Sequence, residues 1–229
     1  MKHLVEFYHL MDEVRQKDPL LVCYLDGFGY YMYQKAVEGN FCPFIQKNFT
    51  VKPIRTVEPP VTNPSMATMI TGVMPEVHGV FSRKERILKV PSIFAKDLGK
   101  VAFIEGDSVI LKTEIRPSLN PGDDKHSTDY YVYGETLKAV QDNCDFIFSH
   151  FHGIDDCAHD HGPYHTSTLE VVREVDSYLK EIKEAFNGNM LLVSDHGIHL
   201  EGCEGTHGIR VDGKFLDEDM TAILGVLKS

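Results

Sequence analysis

Five short apolar runs are spaced along the chain and constrain its fold more than any other feature. They are LLVCYL (20 to 25), VKPIRTV (51 to 57), VAFI (101 to 104), DFIFSHF (145 to 151) and MLLVS (190 to 194). Runs of this length are typical of strands buried on both faces. Segments with helical spacing lie between them: QKAVEGNFCPFIQKN, SMATMITG, SIFAKDLG, YVYGETLKAVQD and TSTLEVVREVDSYLKEIKEAFNG. The alternation predicts an α/β fold, a three-layer αβα sandwich whose central sheet is mostly parallel.

The length of 229 residues suits one large domain better than two small ones, because a chain of this size can bury a full core. We therefore expect a single domain over residues 1–229. Within it, residues 106–130 are rich in turn-forming residues, which predicts a small lid or hairpin.

The formal net charge of -11 disfavours some partners. Nucleic acid and anionic membranes would both be repelled by such a field, so we expect neither as a partner. A small anionic substrate would need a local positive site, and bound divalent cations provide one. The negative net charge therefore makes a metal site the expected way to bind an anionic substrate.

Cysteine usage favours a reducing compartment. The five cysteines show no CxxC pairing, and their odd number does not suit a disulfide framework: Cys23, Cys42, Cys144, Cys157 and Cys203. The first nineteen residues alternate apolar and charged positions, and no apolar run approaches the roughly 20 residues of a spanning helix. We expect a cytoplasmic protein.

Three aspartates lie at or just beyond the ends of predicted strands. Asp26 follows LLVCYL directly, Asp155 lies past DFIFSHF, and Asp195 follows MLLVS. In open α/β sheets, ligands bind at the carboxyl ends of the strands, so these side chains are predicted to converge there.

Histidines accompany these aspartates. Asp155 and His159 are four residues apart, which places them on one face of a helical turn, and His196 and His207 lie in the glycine-containing segments DHG and THG. Each segment alone could be a polar turn. Together they supply three carboxylates and three imidazoles, enough for two divalent ions, with zinc favoured and manganese or iron as alternatives.

Thr62 in PPVTNPSMATMITG adds a hydroxyl near the start of a predicted helix. Backbone N–H groups and the dipole favour an anion at such a position. A second interpretation has an equally good physical basis: the side chain of Thr62 or Asn63 could cap the helix.

These motifs resemble the alkaline phosphatase superfamily, and most closely its type I phosphodiesterase/nucleotide pyrophosphatase branch. The family pattern Thr-x-Pro-x, Thr-Gly, Pro-x-x-His-Gly is met by TNPS (62 to 65), TG (71 and 72) and PEVHG (75 to 79). The pattern D-x-x-G-H-x-x-G-P is met by DDCAHDHGP (155 to 163), with Ala158 in place of the glycine. SDHG (194 to 197) and GTHG (205 to 208) match the remaining signatures, so the similarity runs along nearly the full chain.

The resemblance implies an alkaline phosphatase-like fold and a role for each matched position. One ion would be held by Asp155, His159 and His207, and the other by Asp26, Asp195 and His196 with Thr62. In such sites two ions about 4 Å apart clamp the attacking and leaving oxygens of an in-line displacement. Thr62 would be the nucleophile, and a phosphothreonine intermediate would be hydrolysed by water. The implied protein is a metal-dependent phosphoric ester hydrolase acting on a diester, a pyrophosphate or a monoester.

Arg83 departs from the family pattern, which has an asparagine five residues beyond the His-Gly histidine. An arginine can contact two phosphoryl oxygens, which favours a more highly charged phosphate. The alternative is that Arg83 points outward with the charged run FSRKER. If Arg83 enters the site, phosphomonoesters should be hydrolysed at least as well as diesters.

The chain is also shorter than the larger relatives, because only ten residues separate His196 from His207. Much of the usual substrate-recognition structure is thus missing, and a second subunit could replace it in a homo-oligomer. Asn63, His161 and His165 remain candidates for substrate contact. Phosphonate hydrolysis, favoured by Thr-Asn-Pro, and phosphomutase activity stay open, as does a non-catalytic metal-containing module that binds a phosphorylated ligand.

Overall fold

The computed structural model describes residues 2–227 and contains one large sheet and one small hairpin. The strands are β1 (Lys2–His3), β2 (Leu20–Leu25), β3 (Phe49–Arg55), β4 (Val101–Glu105), β5 (Ser118–Leu119), β6 (Phe146–Phe151), β7 (Asn189–Val193), β8 (His199–Glu201), β9 (Glu204–Thr206) and β10 (Thr221–Leu227). The large sheet has the order β1-β3-β10-β7-β2-β6-β4-β5. Its neighbours pair in parallel except at β10, which runs antiparallel to β3 and β7. A mostly parallel central sheet is what the sequence predicts.

Helices cover both faces of this sheet. They are α1 (Val5–Val14), α2 (Tyr30–Glu38), α3 (Pro43–Asn48), α4 (Thr62–Thr71), α5 (Pro75–His78), α6 (Thr128–Gln141), α7 (Gly153–His161), α8 (Thr166–Ala185) and α9 (Asp217–Met220). In the part of the chain that the structure describes, no helix combines the length and the apolar character needed to cross a bilayer.

The central strand β2 explains why the sheet is buried on both sides. Leu21, Cys23 and Leu25 belong to the core shared with α2, α3, α6, α7 and α8. Leu20, Val22 and Tyr24 belong to the opposite core, against α1 and α4. Because successive strand residues point to opposite faces, a run that is apolar at every position supplies both cores at once.

One sequence prediction about an element is wrong. SIFAKDLG is not an α-helix: only Ile93–Ala95 forms a short 3₁₀ turn, capped by Ser92, whose hydroxyl accepts a hydrogen bond from Phe94 N. The chain leaves helical conformation at Lys96 and reaches a positive φ of 68° at Gly99, which prevents a longer helix. QKAVEGNFCPFIQKN forms two helices, α2 and α3, interrupted at residues 39–42.

Residues 106–130 wrap the edge of the sheet beyond β4. Their strand β5 pairs in parallel with β4, and Lys112 bridges to Ile87. A lid function for this segment remains a prediction.

Candidate metal centre

The carboxyl edge of the sheet brings Asp26 and Asp195 together. Asp26 immediately follows β2, and its backbone N–H donates to Phe151 O of the neighbouring strand β6 (2.9 Å). Asp195 follows β7, and its Oδ1 accepts from Gly27 N (3.2 Å). Gly27 has a φ of +66°, and a Cβ there would lie 2.6 Å from Asp155 Oδ1. A glycine is therefore needed for the chain to turn under these carboxylates.

Helix α7 carries Asp155 and His159 on one face, as the four-residue spacing predicts. Its first turn is anchored by Asp129 of α6, whose carboxylate accepts from His152 N (2.7 Å) and Gly153 N (3.0 Å). A carboxylate accepts hydrogen bonds from these N–H groups, which have no partner within the helix. Its negative charge is also favoured by the positive end of the helix dipole. Asp129 thereby fixes the turn from which Asp155 projects.

His207 reaches the centre from the hairpin formed by β8 and β9. The hairpin packs closely on α7, because a Cβ at Gly205 would lie 2.3 Å from Ala158 O. His207 is 6% exposed, and its ring stacks on that of His196 at a centroid distance of 3.8 Å. The short hairpin between His196 and His207 thus brings the chain directly back to the carboxyl edge of the sheet.

The six residues form two adjoining groups. In the first, His159 Nε2 lies 3.3 Å from Asp155 Oδ2, and His207 Nε2 lies 3.7 Å from Asp155 Oδ1. In the second, His196 Nε2 lies 3.4 Å from Asp26 Oδ1 and 3.2 Å from Asp195 Oδ2. The donor atoms that lie within 4.8 Å of one another join Asp155 and His207 with His196, whereas His159 approaches only Asp155, so His196 stands between the two predicted groups.

The hydrogen bonds of the three imidazoles define their tautomers. His159 Nδ1–H donates to Gly205 O (2.9 Å), His196 Nδ1–H to Gly197 O (3.1 Å) and His207 Nδ1–H to Pro60 O (2.8 Å). In the neutral ring each Nε2 therefore presents a lone pair to the centre. Backbone carbonyls orient metal-binding histidines in this way.

The atoms that face the centre lack hydrogen bonds although they are buried. They are Asp26 Oδ1, Asp155 Oδ1, His159 Nε2, Asp195 Oδ2 and His196 Nε2. Buried polar atoms almost always have a partner, and lone pairs facing carboxylate oxygens repel one another unless a cation lies between them. The mixed imidazole and carboxylate donor set fits zinc and similar divalent ions.

The close packing of these buried carboxylates and imidazoles also shifts their pKa values. Burial, followed by the charges of Asp26 and Asp155, raises the pKa of Asp195 well above its usual value. Burial lowers the pKa of His196 to about 4 and that of His207 to about 3, which keeps both imidazoles neutral as metal ligands must be. The hydrogen-bonding partner Asp155 raises the pKa of His159 to about 9, so without a cation a proton bridges this pair.

Thr62 is the first residue of α4 and lines a cavity of about 240 Å³ beside the centre. The N-cap residue is Val61, which makes no side-chain cap, so capping is not what fixes the start of this helix. Thr62 is 7% exposed and shares the cavity wall with Asp26 and Asp155. Thr62, the first residue of α4, therefore lies beside two of the predicted metal ligands.

Arg83 reaches into the site rather than away from it. Its Nη2 lies 2.6 Å from His207 Nε2, where the guanidinium stands in for a cation on that lone pair. Asn63 holds the loop that carries Arg83, because its amide nitrogen donates to Arg83 O (3.4 Å), Glu85 O (3.1 Å) and Ile110 O (3.2 Å). The amide nitrogen of Asn63 is therefore committed to the backbone.

His161 and His165 are placed differently. Both are exposed, their rings stack at 5.4 Å, and His165 Nδ1 accepts from Ser167 N to cap α8. Among the described residues that line the cavity, neither appears.

Sequence reasoning missed several residues near the centre. Arg86, Asp107 and Ser108 line the cavity, and Glu105 and His150 lie buried beside Asp26. No local pattern marks Glu105 or His150, because both lie within strands whose pairing brings them near Asp26.

The fold and this donor set define a class, the αβα-sandwich proteins of the alkaline phosphatase superfamily. The chain belongs to the type I phosphodiesterase / nucleotide pyrophosphatase family, whose model matches residues 20–110 and 112–224.

Curated relatives match this chain in part. Ectonucleotide pyrophosphatase/phosphodiesterase family member 1 of Rattus norvegicus is 24% identical over 228 residues, covering 82% of this chain and 25% of the relative. The catalytic subunit of GPI ethanolamine phosphate transferase 3 of Mus musculus is 33% identical over 63 residues, covering 27% of this chain and 6% of the relative. The chain spans a quarter or less of these proteins.

Solved structures share the fold. Phosphonoacetate hydrolase from Sinorhizobium meliloti 1021, in complex with phosphonoformate, superposes with a TM-score of 0.65 at 18% identity, covering 79% of this chain and 56% of the other. Murine ectonucleotide pyrophosphatase / phosphodiesterase 5 gives a TM-score of 0.56 at 22% identity, covering 79% and 57%. At these identities the likeness defines the fold alone.

Proposed function

We propose that the protein is a dinuclear metal-dependent hydrolase of phosphate esters that uses Thr62 as its nucleophile. One ion is held by Asp155, His159 and His207. The other is held by Asp26, Asp195, His196 and Thr62. The ions supply charge that stabilises the attacking and leaving oxygens of an in-line displacement, and zinc is the preferred ion for these donors.

The observation that carries this proposal is the set of imidazole tautomers. Three buried or half-buried rings each donate Nδ1–H to a backbone carbonyl and direct Nε2 at carboxylate oxygens 3.2 to 3.7 Å away. A hydrogen-bonded structural network would place a donor opposite each acceptor. At His196 the Nε2 atom and the facing carboxylate oxygens are all acceptors, while a proton at His159 and the Arg83 guanidinium at His207 occupy places that cations would take.

Thr62 carries the covalent chemistry. Its hydroxyl proton passes to solvent as Oγ attacks phosphorus, a bond from Oγ to phosphorus forms, and the bond from phosphorus to the leaving oxygen breaks. The leaving alkoxide takes a proton from water. A water molecule then attacks the phosphothreonine and loses a proton, the Oγ to phosphorus bond breaks, Oγ takes up a proton, and inorganic phosphate or a phosphate monoester is released.

The remaining groups position the phosphoryl oxygens. The N–H groups of the first turn of α4 lie next to Thr62 and favour negative charge. Arg83 can contact two non-bridging oxygens once an ion takes its place at His207. A guanidinium in this position favours monoesters, which carry one more negative charge than diesters.

Cleavage of a carbon–phosphorus bond is a second candidate. The phosphonoacetate hydrolase shares the fold with a TM-score of 0.65, and the sequence places Asn63 and Pro64 directly after Thr62. The same centre would then hold a phosphonate.

A substrate screen with metal-reconstituted protein tests the proposal. The substrates are p-nitrophenyl phosphate, bis-p-nitrophenyl phosphate, thymidine 5′-monophosphate p-nitrophenyl ester and phosphonoacetate, with free phosphate measured for the last. Thr62→Ala is expected to lose at least about 10³-fold in kcat while its metal content is retained.

Thr71→Ala is the matched control, because Thr71 lies in the same helix with the same 7% exposure but donates its hydroxyl to Ala67 O. It should keep wild-type activity. Failure of the fully metallated protein to turn over any substrate would favour the non-catalytic module, and equal activity in Thr62→Ala would reject the covalent mechanism.

A further inference from the structure

Asp219 in α9 contacts the segment that joins His196 to His207, although it belongs to neither of the two proposed ligand sets. Its backbone oxygen accepts a hydrogen bond from the N–H of Gly197, the residue after His196 (2.9 Å). Its Oδ1 accepts from Nδ1 of His199 (2.7 Å). The side chain of Asp219 is 0% exposed, and that of His199 is 7% exposed. One buried residue thus binds this segment through both its backbone and its carboxylate.

The contact with His199 reaches His207 through the pairing of β8 with β9. In this hairpin His199 lies opposite Thr206, the residue that precedes His207. Residues that face each other in an antiparallel pair keep a short, fixed separation. The hydrogen bond from His199 to Asp219 therefore also decides where the chain carrying His207 enters the centre, in which the His207 ring stacks on that of His196.

The segment that carries His196 is held in a different way, by close packing of its backbone. A Cβ at Gly197 would lie 2.0 Å from the backbone oxygen of Glu218 and 3.2 Å from Cα of Gly29. Neither this packing nor the bond from Gly197 N to Asp219 O involves the carboxylate of Asp219. Removal of that carboxylate should therefore release the His207 segment and leave the His196 segment in place.

The carboxylate of Asp219 does not stabilise the fold. Its Oδ2 is buried and makes no hydrogen bond. Burial raises the pKa of Asp219 to about 6, against the opposing effects of the hydrogen bond from His199 and of the backbone N–H of Gly208. Because its pKa is higher in the folded state, the charged carboxylate costs stability at neutral pH. Residues that break a rule of stability in this way are expected at functional sites.

We propose that Asp219 is a positioning residue, whose carboxylate sets the separation of the His207 imidazole from the His196 imidazole by way of His199. This role rests on the proposed dinuclear centre, in which His207 belongs to one ion and His196 to the other. The separation of the two imidazoles then governs how closely the two ions approach each other, on which the clamping of attacking and leaving oxygens depends.

Zinc titration of the metal-free full chain, followed by calorimetry, tests this role. Wild type is expected to bind two ions in two steps, and His159→Asn identifies the step that belongs to the ion of His159 and His207. Asp219→Ala should weaken that step at least about 10-fold, the effect of removing an outer-shell partner, and leave the other step unchanged.

Two further measurements follow the same link. His199→Ala should weaken the same step as Asp219→Ala, and the double variant should be no weaker than either single variant, because both substitutions break one connection. His199→Ala also serves if Asp219→Ala does not fold. At saturating Mn²⁺, either variant should change the spin coupling between the two ions in the electron paramagnetic resonance spectrum, which reports their separation directly.

Asp176→Ala is the matched control, because Asp176 is also a buried carboxylate but lies away from the centre. It is 4% exposed and accepts from the backbone N–H groups of Phe44 (2.9 Å) and Ile45 (2.8 Å) at the start of α3. Asp176→Ala should lower Tm and leave both binding steps and the spin coupling unchanged.

Wild-type affinity in both steps and an unchanged spin coupling in Asp219→Ala and His199→Ala would overturn the positioning role and leave the proposed function intact. Equal weakening of both steps, shared with Asp176→Ala, would also overturn it, since a general loss of stability would then be the cause. A wild-type chain that binds fewer than two ions would instead reject the dinuclear centre, and the role of Asp219 with it.

Discussion

The contacts of the Arg83 side chain depend on whether a metal ion occupies the centre. Its guanidinium lies 2.6 Å from the His207 lone pair, and Asn63 fixes its loop through three backbone carbonyls. A metal ion on His207 would repel the guanidinium toward the cavity, where the proposed substrate would place its phosphoryl group. Arg83 would thereby contact phosphate only in the metallated protein.

Substrate preference follows from this position. We expect Arg83→Ala to lower kcat/KM for p-nitrophenyl phosphate by about 10²-fold and that for bis-p-nitrophenyl phosphate by much less, because a charge-assisted contact is lost mainly from the dianion. Lys84→Ala, the neighbouring exposed cation, is the control and should leave both values unchanged. An unchanged ratio of the two kcat/KM values in Arg83→Ala would exclude Arg83 from substrate binding.

The candidate ligands could be proposed from the sequence because each lies in a motif or at a strand end. Glu105 and His150 could not, since no local pattern distinguishes them from core residues of β4 and β6. Their proximity arises from pairing of those strands, in which Ile104 lies opposite Ser149. Such contacts between distant segments have no signature in either segment alone.

At the scale of elements, helix α7 depends on a carboxylate from another helix. Asp129 of α6 accepts from His152 N and Gly153 N, and Asp155 follows within the same turn. The cap therefore links the stability of α7 to the geometry of Asp155, one of the proposed metal ligands.

Removing the Asp129 carboxylate should lower both the stability of the protein and its affinity for metal. Asp129→Ala is expected to cost about 1–2 kcal/mol in the free energy of unfolding and to weaken metal binding measured by calorimetry. Ser127→Ala removes the cap of α6, where Ser127 Oγ accepts from Tyr130 N, and should lower stability without weakening metal binding. Equal metal affinity in wild type and Asp129→Ala would contradict the link.

Strands were predictable where apolar runs are buried on both faces, as in LLVCYL. Strand β10, with the sequence TAILGVL, was not anticipated. It pairs antiparallel with β3 and β7, with Thr221 opposite Arg55 and Leu224 opposite Val193. Its place between two earlier strands is set by long-range pairing, so periodicity alone does not reveal it.

At the scale of the molecule, the chain joins the last two histidine signatures with a short hairpin. Only residues 197–206 separate His196 from His207, and β8 and β9 fill this span while packing on α7. Three carboxylates meet at the sheet edge without a Lys or Arg ion pair to Asp155 or Asp195 among the described contacts. Bound cations should therefore stabilise the whole fold.

Chelation tests this dependence. Binding to the folded state alone stabilises by about 2.7 kcal/mol when the free ion is at 100 times its Kd, which corresponds to a rise of ~5–10 °C in Tm for a chain of this size. EDTA should lower Tm by that amount, and Zn²⁺ should restore it. The shift should shrink in His159→Asn, and complete metal removal with no change in Tm would contradict the account.

The most direct measurement of the central claim is acid-quenched peptide mapping during turnover. Metallated protein is mixed with its best substrate, quenched in acid and digested, and the peptides are analysed by mass spectrometry. The account predicts one phosphoryl group on Thr62 that is absent without substrate and absent in Thr62→Ala. Steady turnover with no phosphate on Thr62, together with undiminished activity of Thr62→Ala, would contradict it.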